Sequence, residues 1–231
     1  MSILTSTMAQ ELKSILGHEA NRIELVKGQF LFEEGQPADE LFIILSGMIQ
    51  IGKYTYDGRE LTFRVSKKDD IIGEVSLFST TSKHLVHAKV VETGEALVIS
   101  KTILEKKLTE NPKLALDFMR WMGDSLQKTQ TKLRDLVLHG KKGALYSTLI
   151  RLSNSYGVQQ ESDTIINIQL TNQELANFCG TSREVVNRML SELRKNGILS
   201  MAKGVITIHN MQYLRDEINC ENCPPDLCNM Q

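Results

Sequence analysis

The chain has no run of about 18 consecutive apolar residues, so no segment reads as a membrane span. Its start, MSILTSTMAQELKSIL, lacks a basic region followed by an apolar core and reads as a short amphipathic helix rather than a secretory signal. A cytoplasmic protein is the expectation. Net charge is only −1, which gives no global pull toward nucleic acid, so DNA binding would have to rest on local charge. No nucleophile–base pair stands at recognisable spacing, and neither a phosphate loop nor an HExxH helix occurs. The chain is therefore not expected to be an enzyme. Cysteine is scarce, with four in 231 residues, and it is unevenly placed: three of the four fall in the last twelve.

Those three are spaced Cys220-x2-Cys223-x4-Cys228 in CENCPPDLC. In a reducing compartment, thiols this close favour a metal over a disulfide. They suit a soft centre, either zinc or an iron–sulfur cluster. Three ligands leave such a site one short. The fourth could come from Asp135, His139, Asp216, Asp226, Cys179 or solution. Asp135 lies near the negative end of a long helix, where an acid is unfavourable. It is either a ligand or is offset by Arg134 or by Lys141 and Lys142.

The rest of the chain reads as α+β. From residue 20 to 100, short β-prone runs (30–32, 41–45, 48–51, 61–65 and 96–99) alternate with glycines, and Asp57-Gly58 signals a hairpin. The spacing suggests a barrel or jelly roll. Asn111 and Pro112 then open a long helix running to Gly140. On it Ala115, Met119, Met122, Leu126, Thr129, Leu133 and Leu136 repeat in 4-3 spacing, the pattern of a dimer seam. A helix over 141–156, a strand over 165–170, two helices, a hairpin at Lys203-Gly204 and a helix over 211–218 complete the chain.

Residues 171–190, TNQELANFCGTSREVVNRML, carry the sharpest pattern. Thr171-x-x-Glu174 and Thr181-x-x-Glu184 both read as capping boxes. Ala176, Gly180 and Val186 stand at the spacing of a helix-turn-helix. Ser182, Arg183, Glu184, Asn187 and Arg188 then occupy the N-terminal, outward part of the second helix, where base edges are met. Cys179 reads as a small buried apolar residue.

Barrel, long helix and winged helix-turn-helix together resemble the Crp/Fnr family of transcription regulators over essentially the whole chain. FLFEEGQPADELFIILSGMIQIG resembles its cyclic-nucleotide-type barrel. The resemblance implies five parts: an N-terminal arm (1–18), a barrel (19–110), a dimerisation helix (111–140, seam within 113–138), a winged helix-turn-helix (141–218) and a metal-binding tail (219–231). It puts Arg183, Glu184 and Arg188 at base-reading positions. It also implies a homodimer on palindromic double-stranded DNA with TGTGA-type half-sites, and RNA polymerase as a partner. The tail and HGKKGALYSTLIRLSNSYG are similar to the Fnr branch of Bacillus-type Gram-positive bacteria. That branch implies an activator of anaerobic gene expression. It also implies an oxygen-labile [4Fe–4S] cluster on Cys220, Cys223, Cys228 and Asp135. The alternative is a structural zinc site in an effector-gated regulator. Family members that bind cyclic nucleotide place an Arg-Ser pair after Gly-Glu-Leu. Here Gly73-Glu74-Val75 is followed by STTSKHLVHAK, with no arginine, so no cyclic-nucleotide site is expected.

Overall fold

A computed structural model describes residues 3–78 and 83–230. Residues 79–82, the start of STTSKHLVHAK, lie outside the described residues, as do positions 1, 2 and 231. The chain divides into two compact units, one built from residues 1–54 and 63–126, the other from 55–62 and 127–230.

The first unit opens with helix α1 (Ile3–Leu16). Strands β1 (Asn21–Leu25), β2 (Phe30–Phe32), β3 (Glu40–Tyr54), β4 (Glu60–Lys67) and β5 (Ile71–Ile72) follow. A short helix α2 (Glu74–Leu77), strand β6 (His87–Ser100) and helix α3 (Lys101–Glu110) come next. The strands form one antiparallel sheet in the order β1-β6-β3-β4, with β2 on β6 and β5 on β3. The runs 41–45 and 48–51 belong to a single strand rather than two. Ser46 and Gly47 form a bulge between them, where the register against β6 slips. Gly47 has φ +84, and a Cβ on Gly94 would come within 2.1 Å of the Ser46 carbonyl oxygen, so both glycines are needed for the strands to pass here. The bulge also inverts parity: Phe42 and Ile44 before it and Ile49 and Ile51 after it pack into one apolar cluster. Leu41 and Ile43 point the other way, into a second core with Leu12, Leu104, Leu114, Phe118 and Trp121.

Helix α4 (Pro112–Tyr156) begins as expected, with Asn111 Oδ1 accepting from the Leu114 amide at 3.1 Å. Its backbone breaks at Gly140 (φ 57°, ψ −149°), which divides it into limbs 112–139 and 141–156 with no intervening loop. Several seam positions are open to solvent: Met119, Leu126, Leu133 and Leu136 are 61%, 59%, 59% and 42% exposed.

In the second unit, strands β7 (Gly157–Gln160) and β8 (Asp163–Ile166) precede helices α5 (Asn172–Phe178) and α6 (Arg183–Lys195). Strands β9 (Leu199–Ala202) and β10 (Val205–Ile208) and helix α7 (Met211–Asp216) follow. The sheet order is β7-β8-β10-β9. The expected strand at 165–170 is shifted: β8 starts at Asp163 and ends at Ile166, and it pairs with β7, which the sequence reading lacked. The last helix also ends two residues sooner than expected, at Asp216. The core of this unit contains Leu145, Leu149, Ala176, Val186, Leu190, Leu193, Ile206 and Leu214.

Candidate nucleic-acid interface and tail site

Helix α5 is opened by the expected capping box, with Thr171 Oγ1 accepting from the Glu174 amide and the Glu174 carboxylate accepting from the Thr171 amide. Gly180 turns the chain at φ +57. The second expected box does not form. Ser182, extended at φ −87 and ψ 154, is the cap of α6 and accepts from the Val185 amide. Thr181 is instead buried at the turn, its hydroxyl unpaired. Ala176 and Val186 are both fully buried, so the two helices cross at small residues as the spacing requires. Leu190 and Leu193 complete the buried stripe, while Arg183, Glu184, Asn187 and Arg188 are all exposed on the opposite face. Glu184's own amide and the Ser182 hydroxyl hold its carboxyl below the usual range, so it presents acceptor oxygens to solvent. Asn172 donates from its side-chain amide to Asn187 Oδ1 at 3.1 Å, tying the start of α5 to the exposed face of α6. Cys179 is buried against the Thr148 hydroxyl at 3.8 Å, and burial pushes its thiol up to about 12.

The second cluster lies where the limbs of α4 meet. A Cβ on Gly143 would stand 2.2 Å from the His139 Cβ and 2.8 Å from the Asp135 carbonyl oxygen, so the second limb returns against the first only with glycine there. The return brings Ser147 and Arg151 to Asp135, a buried acid. Asp135 Oδ2 accepts from the Ser147 hydroxyl at 2.5 Å and Arg151 Nη2 at 3.1 Å. Oδ1 accepts from Arg134 Nε at 3.1 Å and Nη2 at 2.8 Å. Burial pushes the Asp135 carboxyl upward, but Ser147, Arg134 and Arg151 outweigh it and hold the group below its ordinary value, hence ionised. Of the expected offsets, Arg134 is present. Lys142 pairs with Glu217 at 2.5 Å instead. Arg151 was missed by the sequence reading. Its signal was a lone cation in the apolar run ALYSTLIRL, where a fully buried helix needs a partner for it.

The tail docks beside this cluster. Asn219 and Asn222 take left-handed backbone at φ 45 and 52, and the Leu227 and Cys228 amides close a turn onto the Pro224 carbonyl. Arg134 reaches Glu221, between Cys220 and Cys223, as well as Asp135, so one cation joins the acid to the tail. All four cysteines are free thiols, with Cys228 buried and Cys220 and Cys223 partly exposed. Burial raises the Cys228 pKa most. Arg151 opposes this, while Cys220, Cys223 and Asp135 add to it, so all four predicted ligands share one electrostatic neighbourhood. Among the described residues, no three His, Cys, Asp or Glu side chains stand close enough together to hold an ion. The chemistry of the donors suits one, three thiols and an ionised carboxylate, although their side chains are not converged in this structure.

In the first unit, Glu74 of the Gly73-Glu74 pair is buried and held by Arg64 at 2.7 Å.

Residues 22–111 match the family model described as cyclic nucleotide-binding domain, and residues 143–217 match the Crp-like helix-turn-helix domain. An "Anaerobic regulatory protein" of Bacillus subtilis (strain 168) is 52% identical over 224 residues, covering 96% of this chain and 94% of that protein. A "CRP-like cAMP-activated global transcriptional regulator" of Mycobacterium tuberculosis (strain ATCC 25618 / H37Rv) is 27% identical over 192 residues, covering 83% of this chain and 85% of that one. Among solved structures, the c-di-GMP responsive global regulator CLP of Xanthomonas campestris superposes with a TM-score of 0.75 at 24% identity, over 87% of this chain and 99% of that chain. This likeness speaks for the fold alone.

Proposed function

The chain belongs to the Crp/Fnr family of DNA-binding transcription regulators, and on that premise we propose that it is an oxygen-responsive regulator of anaerobic gene expression. In this reading Cys220, Cys223, Cys228 and Asp135 hold a [4Fe–4S] cluster. The observation that carries it is the junction at Arg134, which joins Asp135 to Glu221, between the first two cysteines of the tail. An acid on the long helix and a cysteine tail following the DNA-binding helices would not otherwise be expected to share a cation. The B. subtilis relative, whose name is that of an anaerobic regulator, supports the same reading.

When bound, the cluster would supply sensitivity to oxygen and a bond between the tail and the long helix. The chain's own residues do the rest. Arg134 and Arg151 keep Asp135 ionised, the state a ligand requires. Each Asp135 oxygen already takes two hydrogen bonds, so ligation would displace a donor, and Arg134, the more exposed of the two arginines, is the one free to leave. The exposed seam of α4 takes a second copy, so that two α6 helices enter major grooves one turn apart. There Arg183, Glu184 and Arg188 read TGTGA-type half-sites, Arg as a fork on guanine and Glu accepting from cytosine. Ser182 and Asn187 support them. The bound dimer acts as an activator through RNA polymerase.

The test is anaerobic purification with an absorption spectrum, iron and sulfide assays, and DNA binding before and after air. A brown protein that bleaches and loses affinity for its inverted repeat supports the reading. Equimolar zinc without iron, or affinity indifferent to air, overturns it.

A further inference from the structure

The tail is not uniformly attached. Cys220 and Cys223 are partly exposed. The last residues before the end are different: Cys228, Asn229 and Met230 are 8%, 5% and 3% exposed, and Cys228 and Met230 join the core of the second unit. Three side chains of the 141–156 limb reach them. Arg151 Nη1 donates to the Leu227 carbonyl at 3.2 Å. Asn154 Nδ2 donates to the Cys228 carbonyl at 2.6 Å. Ser155 Oγ accepts from the Met230 amide at 2.9 Å. Positions 151, 154 and 155 share one helix face. Asn229 closes the segment on itself by donating to the Pro225 and Asp226 carbonyls at 3.1 and 2.8 Å.

From this we infer that the chain end carries an anchor that needs no metal. Residues 227–230 stay fixed to the limb by Arg151, Asn154 and Ser155, while the 219–223 loop, held by the exposed Arg134–Glu221 pair and packed only at the edge of the core, is the part that opens more readily. Arg151 is the positioning residue at its centre. Its guanidinium holds the tail at Leu227 and the long limb at Thr131 (3.1 Å) and Asp135, with Nε on the Ser147 hydroxyl at 3.1 Å. A lysine there offers one compact ammonium and cannot span those partners. Cys228 and Asp135 therefore keep their places in the metal-free protein, and a metal would add its bonds to Cys220 and Cys223 in a loop otherwise held by the Arg134–Glu221 pair and edge packing. This rests on the proposed function only for what the loop would bind. The anchor itself is read from the chain's own contacts.

The experiment is hydrogen–deuterium exchange on the full-length protein, reduced and stripped of metal with a chelator under anaerobic conditions. Segments 219–223 and 224–230 are compared, and the segment containing Cys179 serves as the folding control. Segment 224–230 is expected to exchange about tenfold more slowly than 219–223, as local stabilities differ within one fold. The double variant Asn154→Ala/Ser155→Ala is expected to remove about tenfold of that protection while the Cys179 segment stays protected, a loss typical of one or two hydrogen bonds. Arg151→Lys should do the same. Equal exchange of the two segments in the metal-free wild type overturns the anchor, as does unchanged protection in the double variant. The measurement contains no iron, so a protein that never binds a cluster would sink the proposed function and leave this result standing, and the converse holds.

Discussion

Asp135 and Arg151 stand sixteen residues apart in the chain, yet Oδ2 of one lies 3.1 Å from Nη2 of the other. In an unbroken helix sixteen residues would separate them by about 24 Å. The break at Gly140 and the missing side chain at Gly143 make the difference, and with them the whole acid–arginine–tail cluster.

Gly143→Ala is therefore expected to destabilise the protein by about 1–3 kcal/mol, the cost of overpacking a close contact. Gly123→Ala in the same helix is the control: nothing stands within 4 Å of its new Cβ, so it should be neutral or raise stability slightly. Thermal midpoints of the two variants check this, and a Gly143→Ala midpoint equal to the wild type would contradict the packing argument.

Asp135→Ala should lose most of the iron and sulfide of the anaerobically purified protein, whereas Cys179→Ser should keep both. The first change also leaves Arg151 buried without its acid, at a cost of about 3–5 kcal/mol. Cys220→Ser, at a partly exposed position, separates the two effects by losing iron with little change in midpoint. Retained iron in Asp135→Ala together with loss in Cys179→Ser would reverse the ligand assignment.

Arg183→Ala should weaken binding to the proposed inverted repeat by about 1–3 kcal/mol and relax preference at one base pair. Competition against single-base variants of the site measures it. Equal losses on specific and random DNA would mean that Arg183 serves a phosphate instead.

His84 gives the first unit a pH dependence. It is stacked on Phe32 at 3.7 Å, and burial lowers its pKa below the ordinary 6.5, with Asp39 opposing. A depressed value means the stability is fully present above 6.5 and is lost as pH falls from there toward the folded value. Between pH 7 and 5 the wild-type thermal midpoint should fall more steeply than that of His84→Gln. Parallel curves would remove His84 from the account.

Much of this was legible in residue order because local chemistry dictated it. Thr171 and Glu174 cap each other, Asn111 and Pro112 start the long helix, and Gly180 makes the turn, each through neighbours within a few residues. The misses have physical reasons. Thr181 and Ser182 are adjacent hydroxyls with equal capping ability, and backbone direction, set by packing at the turn, chose Ser182. Strand β7 is exposed along its length, so Gly157-Val-Gln-Gln carries no alternation to find. Ser46-Gly47 looks like a turn and is a bulge, because β6 continues opposite it. Arg151 depends on the reversal at Gly140, and no periodicity within either limb reports a contact between them.

The outward-facing leucines of α4 have one more consequence. If a second copy covers them, as proposed, pairing precedes tight DNA binding, and occupancy of a two-half-site operator rises with the square of protein concentration when the chain is dilute. The amount of regulator in the cell would then act as a second input beside oxygen, and a modest change in its synthesis would move the response more than proportionally.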